Sequence, residues 1–496
     1  MKKTHTAPLF GLGLLALTAC GSPDNTVDAT TVANTDLMPL SAPLAIDFDA
    51  PLSGTLTVST FDSMITGPFL EQAAELFMYA HPDTTVYVSS FSTPPAIQTG
   101  PDGMMMMRTS NDVGAERRDY VSMINTELMS GRGPDVLAMD VLPFHAYATG
   151  GHLVDLRAFM EADPNFHLHH YRENIFHAVA DATGQFMFPI DYDFRYLAFD
   201  SDLFSPQQLG YLDIQGTFSF DDMLDIASMN PLTNPDAHVF GMGVTQMFSE
   251  MFVQDFDYFV NTQAGTAHFD TGRFEALIDQ LNELEAAGDL PPSIARMHGQ
   301  GGHGGHGGGQ PDMAQMMAMQ NEQRFAFSPR SSVLLLSELE RMHGVAGQQF
   351  MVMGMGNRDN DVIGGLITDS YGNVAFDVHL GFGINANADL ETQRLAWEFI
   401  RFLSNEAMTA TTLMRGFPTH IEAFETRAAF SADASILDDY LAKVSYFTSQ
   451  LNQFNNTDSL ILDTVRAEMT AFFDGQQSVE QTINTLQSRI TLMLNE

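Results

Sequence analysis

The sequence predicts an α/β protein with more than one lobe, and three observations carry that expectation. From Thr55 onward, short strand-like runs alternate with amphipathic helical stretches. The chain has 496 residues, 44% of them apolar, which is more than one core normally organises. No stretch approaches the roughly 18 uninterrupted apolar residues of a membrane-spanning helix.

The N-terminal segment stands apart. Lys2 and Lys3 precede an apolar run from Pro8 to Leu17, which ends in Leu17-Thr18-Ala19-Cys20. A positive start, a short apolar core and small residues before a cut site describe an export signal over residues 1–19, too short to span a bilayer. The LTAC string resembles a bacterial lipobox, in which the cysteine is lipidated and becomes the first mature residue. Cys20 is the only cysteine, so lipidation there leaves no thiol for metal, redox or nucleophilic chemistry. Residues 20–51 are rich in Ser, Thr, Asp, Asn, Ala and Pro and read as a flexible tether.

The folded part opens β-α-β: Thr55 to Thr60 alternates, Pro68 to Ala80 places Phe69, Ala73, Leu76 and Phe77 on one helix face, and Val86 to Val88 is strand-like. Residues 91–118, with Met104 to Met107, read as an insertion before a helix at 119–129. Pro134 to Met139 is a third strand, followed by a helix-like segment to Gly150 and a further run from Leu153 to Met160. This alternation implies a mostly parallel sheet. Later helices are expected at 219–229, with Thr217 and Ser219 as cap candidates, and at 272–287, stopped by Gly288, Pro291 and Pro292. A strand is expected at 239–244, and the C-terminal part reads as helices at 389–404, 405–414, 434–452, 458–474 and 478–495.

The formal charge of −40 becomes −42 when Lys2 and Lys3 are removed, which argues against nucleic acid and anionic lipid as partners. Dispersed acids of this kind form a solvated face suited to high salt or low external pH.

Six segments in order resemble the extracellular solute-binding proteins of bacterial ABC importers, in the branch that mostly binds sugars and oligosaccharides. They are GRGPDVLAMDVLPFHAYATGGHLVDL (131–156), FPIDYDFRYLAFDSDLF (188–204), TFSFDDMLDIA (217–227), GFGINANADLETQRLAWEFIRFLSNEAM (381–408), GFPTH (416–420) and the terminal LQSRITLMLNE. The resemblance implies a two-lobed fold of the type II periplasmic-binding-protein kind, each lobe a mostly parallel sheet flanked by helices, with a hinge between lobes. Carried over, lobe one spans 52–160 plus 372–415, and lobe two spans 161–371 plus 416–496. It also implies a monomer that captures a small solute by hinge closure, hands it to permease subunits, needs no cofactor and catalyses nothing.

Sugars present hydroxyls and apolar ring faces, so a cleft for them needs carboxylates or amides plus aromatic faces. Strand-end positions supply the candidates: Phe61, Asp62 and Ser63; Met139 and Asp140; Asp191, Tyr192, Asp193 and Arg195 in the crossing segment; Phe248 and Glu250; Ser331 and Ser332; and Asp369, Ser370 and Tyr371. Asp191 and Asp193, two apart on an extended segment, share a face. The sole tryptophan, Trp397, falls inside a helix and reads as core.

His298, His303 and His306 lie in the Gly/His stretch 298–310, and Met313, Met316, Met317 and Met319 follow. Imidazole and thioether ligands suit Zn or Cu, but the spacing matches no rigid site, and a Gly-flanked loop loses much entropy on ordering. A metal-binding lipoprotein and a carbohydrate-active enzyme are therefore the alternative readings. A Gly-x-Ser-x-Gly elbow, a phosphate-binding loop and an HExxH helix are all absent from the sequence.

Overall fold

The computed structural model describes residues 46–94, 96–99, 105–108, 113–181, 183–212, 216–262, 264–291, 324–342, 361–408, 411, 416–455 and 457–495. The expected signal segment, Cys20, the tether up to residue 45, Met104 and the whole Gly/His stretch with His298, His303 and His306 lie outside the described residues.

In chain order, β1 (Gly54–Thr60) and β2 (Thr84–Ser90) flank the helix Thr66–Ala80. A hairpin of β3 (Ala96–Thr99) and β4 (Met105–Arg108) precedes the helix Val113–Met129 and β5 (Val136–Ala138). Then come β6 (Phe188–Pro189), β7 (Asp191–Asp200), β8 (Thr217–Phe218), β9 (His238–Phe240) and the short pair β10 (Val260–Asn261) and β11 (Thr266–Ala267). The remaining strands are β12 (Phe325–Ser331), β13 (Asp361–Ile367), β14 (Ala375–Asp377), β15 (Gly381–Ile384), β16 (Phe417–Pro418) and β17 (Gln453–Phe454).

These strands make two principal sheets. The first has the order β2-β1-β5-β15-β6. Its helix Thr66–Ala80 buries Phe69, Leu70, Ala73, Ala74 and Phe77 against it, while Leu76 turns outward. In the second sheet β7 is antiparallel to β12, β13, β14 and β16, and parallel pairing is confined to the flanks: β12 with β9, β13 with β8, β14 with β17. The sheets are therefore mixed, not mostly parallel as expected. The antiparallel pairings belong to β15, against β5 and β6, in the first sheet and to β7 in the second.

The lobe boundaries also shift. Residues 161–189 pack with the first sheet, because Phe166, Tyr171 and Phe176 gather around Phe188 and Trp397 in one apolar cluster. Trp397 is core, as expected, and its indole donates to Asp163 Oδ2 at 2.8 Å. At the other boundary β14 belongs to the second sheet.

Among the helices, Phe220–Met229 starts with a capping box between Ser219 and Asp222, and Gly–Ala helix Gly272–Ala287 stops at Gly288, whose φ of 82° favours glycine. The helix Leu390–Phe402 continues directly into a π turn at Leu403–Ala407, so the start expected at 405 falls inside that turn, and residues 409, 410 and 412–414 of the expected helix lie outside the described residues. Val244–Gln254 and Ile421–Ser431 are helices that the pattern did not predict.

Candidate ligand-binding site

Three segments pass between the sheets side by side. Ile190 N–H donates to Leu380 O at 2.7 Å, and Thr419 N–H donates to Ile190 O at 2.9 Å. Asp191 clamps the first crossing to the second by accepting from the N–H groups of His379 (3.0 Å) and Leu380 (2.7 Å). Its carboxyl is fully buried, and that burial holds its pKa above the ordinary value.

Beyond Asp191, the alternation of β7 separates two environments. Tyr192, Phe194 and Tyr196 point into the core, and the Tyr192 hydroxyl lies 2.7 Å from Thr448 Oγ1. Asp191, Asp193 and Arg195 occupy the other register. Asp193 accepts from Ser331 Oγ at 2.8 Å, from the Ser332 N–H at 3.0 Å and from Ser332 Oγ, and His379 Nε2 stands 3.7 Å from it. Directly across the β7/β14 ladder from Asp193 is Asp377, which accepts from Asn455 Nδ2 at 2.8 Å. Arg195 pairs with Glu250 on the helix Val244–Gln254.

The electrostatics follow from this crowding. Burial, reinforced by the like charge of Asp193, pushes Asp377 up to about 6. Burial acts to lower His379, but the hydrogen bond to Asp193 and the charges of Asp191 and Asp377 outweigh it and raise the imidazole to about 9. Burial acts to raise Asp193, and its bonds from His379, Ser332 and Ser331 overcome that and hold it below the usual carboxylate range. At neutral pH the pair is therefore an imidazolium beside a carboxylate. The side chains of Arg195 and His379 remain 37% and 32% exposed, so two charged donors are reachable beside carboxylate acceptors. Such a mixture of donors and acceptors matches a ligand bearing several hydroxyls.

The other residues singled out from the sequence have different fates. At the tip of the first sheet, Asp62 caps the helix Thr66–Ala80, accepting from Met64 N–H (2.8 Å) and Thr66 N–H (3.2 Å). Asp140 is half-buried and accepts from Thr60 Oγ1 (2.9 Å), Asp62 N–H (3.0 Å) and Val141 N–H (3.1 Å). Phe61 is packed against Tyr120, with ring centroids 5.8 Å apart. Phe248 lies in the core of the second lobe, on a helix where a strand end was expected, and Tyr192 is equally buried. In this structure Phe61, Tyr192 and Phe248 thus pack within the fold, and Asp62 bonds its own loop. Tyr371, by contrast, is 70% exposed at the turn after β13. Ser370 neighbours it, within hydrogen-bond reach of both Arg273 and Asp255.

His379, Asp377 and Asn455 are further candidate residues, gathered at the crossing, that sequence reasoning missed. The signal was present: Asp377 and His379 are two apart on the return crossing, the same spacing that marked Asp191 and Asp193.

The lobes also touch away from the crossing. Arg117 Nη1 reaches Asp463 Oδ2 at 2.7 Å, and the Phe144 and Phe454 rings are 6.4 Å apart. Two open cavities lie elsewhere: one of about 600 Å³ beside Tyr87 and Arg132, another of about 530 Å³ beside Arg273 and Asp221. Neither is lined by the crossing residues, and the crossing chemistry is the stronger guide because it joins the two principal sheets. Among the described residues no group of three or more His, Cys, Asp or Glu side chains is placed to hold a metal ion, and no helix is long and apolar enough to cross a membrane.

No protein-family model matches the sequence, and no curated protein matches it either. The fold, however, is shared with solved structures. An extracellular solute-binding protein family 1 from Alicyclobacillus acidocaldarius aligns at TM-score 0.54 and 14% identity, over 90% of this chain and 100% of that one. The ABC substrate-binding protein from Listeria monocytogenes in complex with cycloalternan aligns at 0.50 and 14%, over 89% and 99%. A periplasmic oligogalacturonide-binding protein from Yersinia enterocolitica, in complex with saturated digalacturonic acid, aligns at 0.50 and 14%, over 89% and 98%. The chain thus has the two-lobed α/β fold of extracytoplasmic solute-binding proteins.

Proposed function

We propose that this chain is the solute-binding component of an ABC importer, capturing a sugar or oligosaccharide at the strand crossing and releasing it to permease subunits. The observation that carries the reading is the placement of Asp193, Arg195, Asp377 and His379 on the very segments that pass between the sheets. A ligand held there bridges both lobes, so the closed form gains contacts that the open form lacks. Structural relatives with bound saccharides support the ligand class, and lipidation of Cys20 would keep the receptor at the outer face of the membrane.

Calorimetry and thermal unfolding against neutral and acidic oligosaccharides, polyols, polyamines and divalent metals test the reading. A saccharide present at a hundred times its Kd should stabilise the folded protein by about 2.7 kcal/mol. Tight Cu or Zn binding with no response to any saccharide would overturn it.

A further inference from the structure

Resting on that reading, we infer that the crossing site selects saccharides without carboxylates and rejects uronic-acid units, with Asp377 as the selecting residue. Three acids converge here: the buried Asp191 and Asp193 on β7, and the half-buried Asp377 directly opposite Asp193 on β14. Like charges paired across a ladder are destabilising, so their retention in a strand that could hold any β-former marks a functional demand. The two cations present offset this charge only in part. Arg195 is paired with a further acid, Glu250, and His379 Nε2 sits 3.7 Å from Asp193, so four carboxyl groups stand against two cations. Asp193 is also occupied by Ser331 and Ser332, whereas among the described residues Asp377 accepts from the Asn455 side chain. Asp377 therefore keeps acceptor capacity for a ligand hydroxyl. A ligand carboxylate in the same place would lose its hydration and meet a net negative field, which in a water-poor setting acts far more strongly than in bulk solvent.

The selectivity is distinct from simple capture of sugar, since an oligosaccharide receptor could equally present a surplus of arginine. The test titrates the whole folded protein with matched pairs, such as galactobiose and digalacturonate, or gluco-oligosaccharides and their C6-oxidised counterparts of the same linkage and length. We expect every neutral member that binds to exceed its oxidised partner in affinity by at least about tenfold. Asp377→Asn keeps the shape and an acceptor for Asn455, so it should narrow that ratio severalfold with the circular dichroism spectrum unchanged. An oxidised partner that binds as tightly as the neutral one overturns the inference while leaving solute capture intact. A wild-type ratio that survives Asp377→Asn removes Asp377 as its source. If no saccharide of either kind binds, the functional reading itself fails, and the inference with it.

Discussion

The tip of the first sheet and the strand crossing use the same residue type to opposite ends. At the tip Asp140 receives the Thr60 hydroxyl and the Asp62 and Val141 N–H groups, and Asp62 receives the Met64 and Thr66 N–H groups of its own loop, so both carboxylates shape the turn. At the crossing, Asp193 and Asp377 face each other across a ladder, Asp193 bonded by two serines and Asp377 by an asparagine, and ionisable neighbours surround them, with the His379 imidazole 3.7 Å from Asp193. An aspartate that ends a strand is a cap when its neighbours offer N–H groups, and a functional group when they offer other titratable groups.

Breaking the tip gives the largest expected effect. Asp140→Ala would strand the Thr60 hydroxyl and the Asp62 and Val141 N–H groups, costing about 2–4 kcal/mol of stability by chemical denaturation. Saccharide affinity of the folded fraction should change by less than about threefold. Unchanged stability with lost affinity would reverse the assignment and make Asp140 a ligand contact.

The crossing should respond to pH instead. His379 has a folded pKa of about 9, above its ordinary 6.5, so its contribution is fully present below about 6.5 and is lost as pH rises toward 9. Asp377, raised to about 6 from 3.8, is favoured in its neutral form, so stability is also gained as pH falls from about 6 toward 4. Both slopes have the same sign: the part of the unfolding free energy that these two groups contribute should fall from pH 4 to pH 9, against the opposite and separate contribution of the lowered His145 and His420 below about 6.5. His379→Gln should flatten the part above pH 6.5 by about 1–3 kcal/mol, a range reduced for the third of the side chain that meets solvent. A slope above pH 6.5 that persists in this variant would show that the imidazole is not its source.

This contrast also explains what could be read in advance. Local signals were legible: the capping box at Ser219 and Asp222, the stop at Gly288 and the helix Thr66–Ala80 depend on neighbours within a few positions. So was the β7 face, because alternation alone pairs Asp191 with Asp193. Partnership across the chain was not legible. Asp193 meets Ser331 and Ser332 from 138 and 139 positions away, and Asn455 reaches Asp377 from 78. Phe248 misled because a short apolar run serves a strand or a buried helix equally well, and only packing against Phe252 and Phe274 decides between them.

The smallest effect on stability falls on Tyr371. Of the aromatics that the sequence offered for stacking, Phe61, Tyr192 and Phe248 are buried, and Tyr371 alone presents most of its ring to solvent, at 70% exposure. Tyr371→Ala should therefore move stability by no more than about 0.5 kcal/mol. If the ring closes over a sugar face when the lobes shut, the same change should weaken saccharide binding by about three- to tenfold, the worth of one aromatic contact. Tyr192→Phe supplies the counterpart. It removes the hydroxyl contact with Thr448 inside the core, so it should cost about 0.5–1.5 kcal/mol of stability and leave affinity alone. Binding that is indifferent to Tyr371 would mean that the site holds its ligand through polar contacts at the crossing without an aromatic platform, and the ionisable strands would then carry the recognition by themselves.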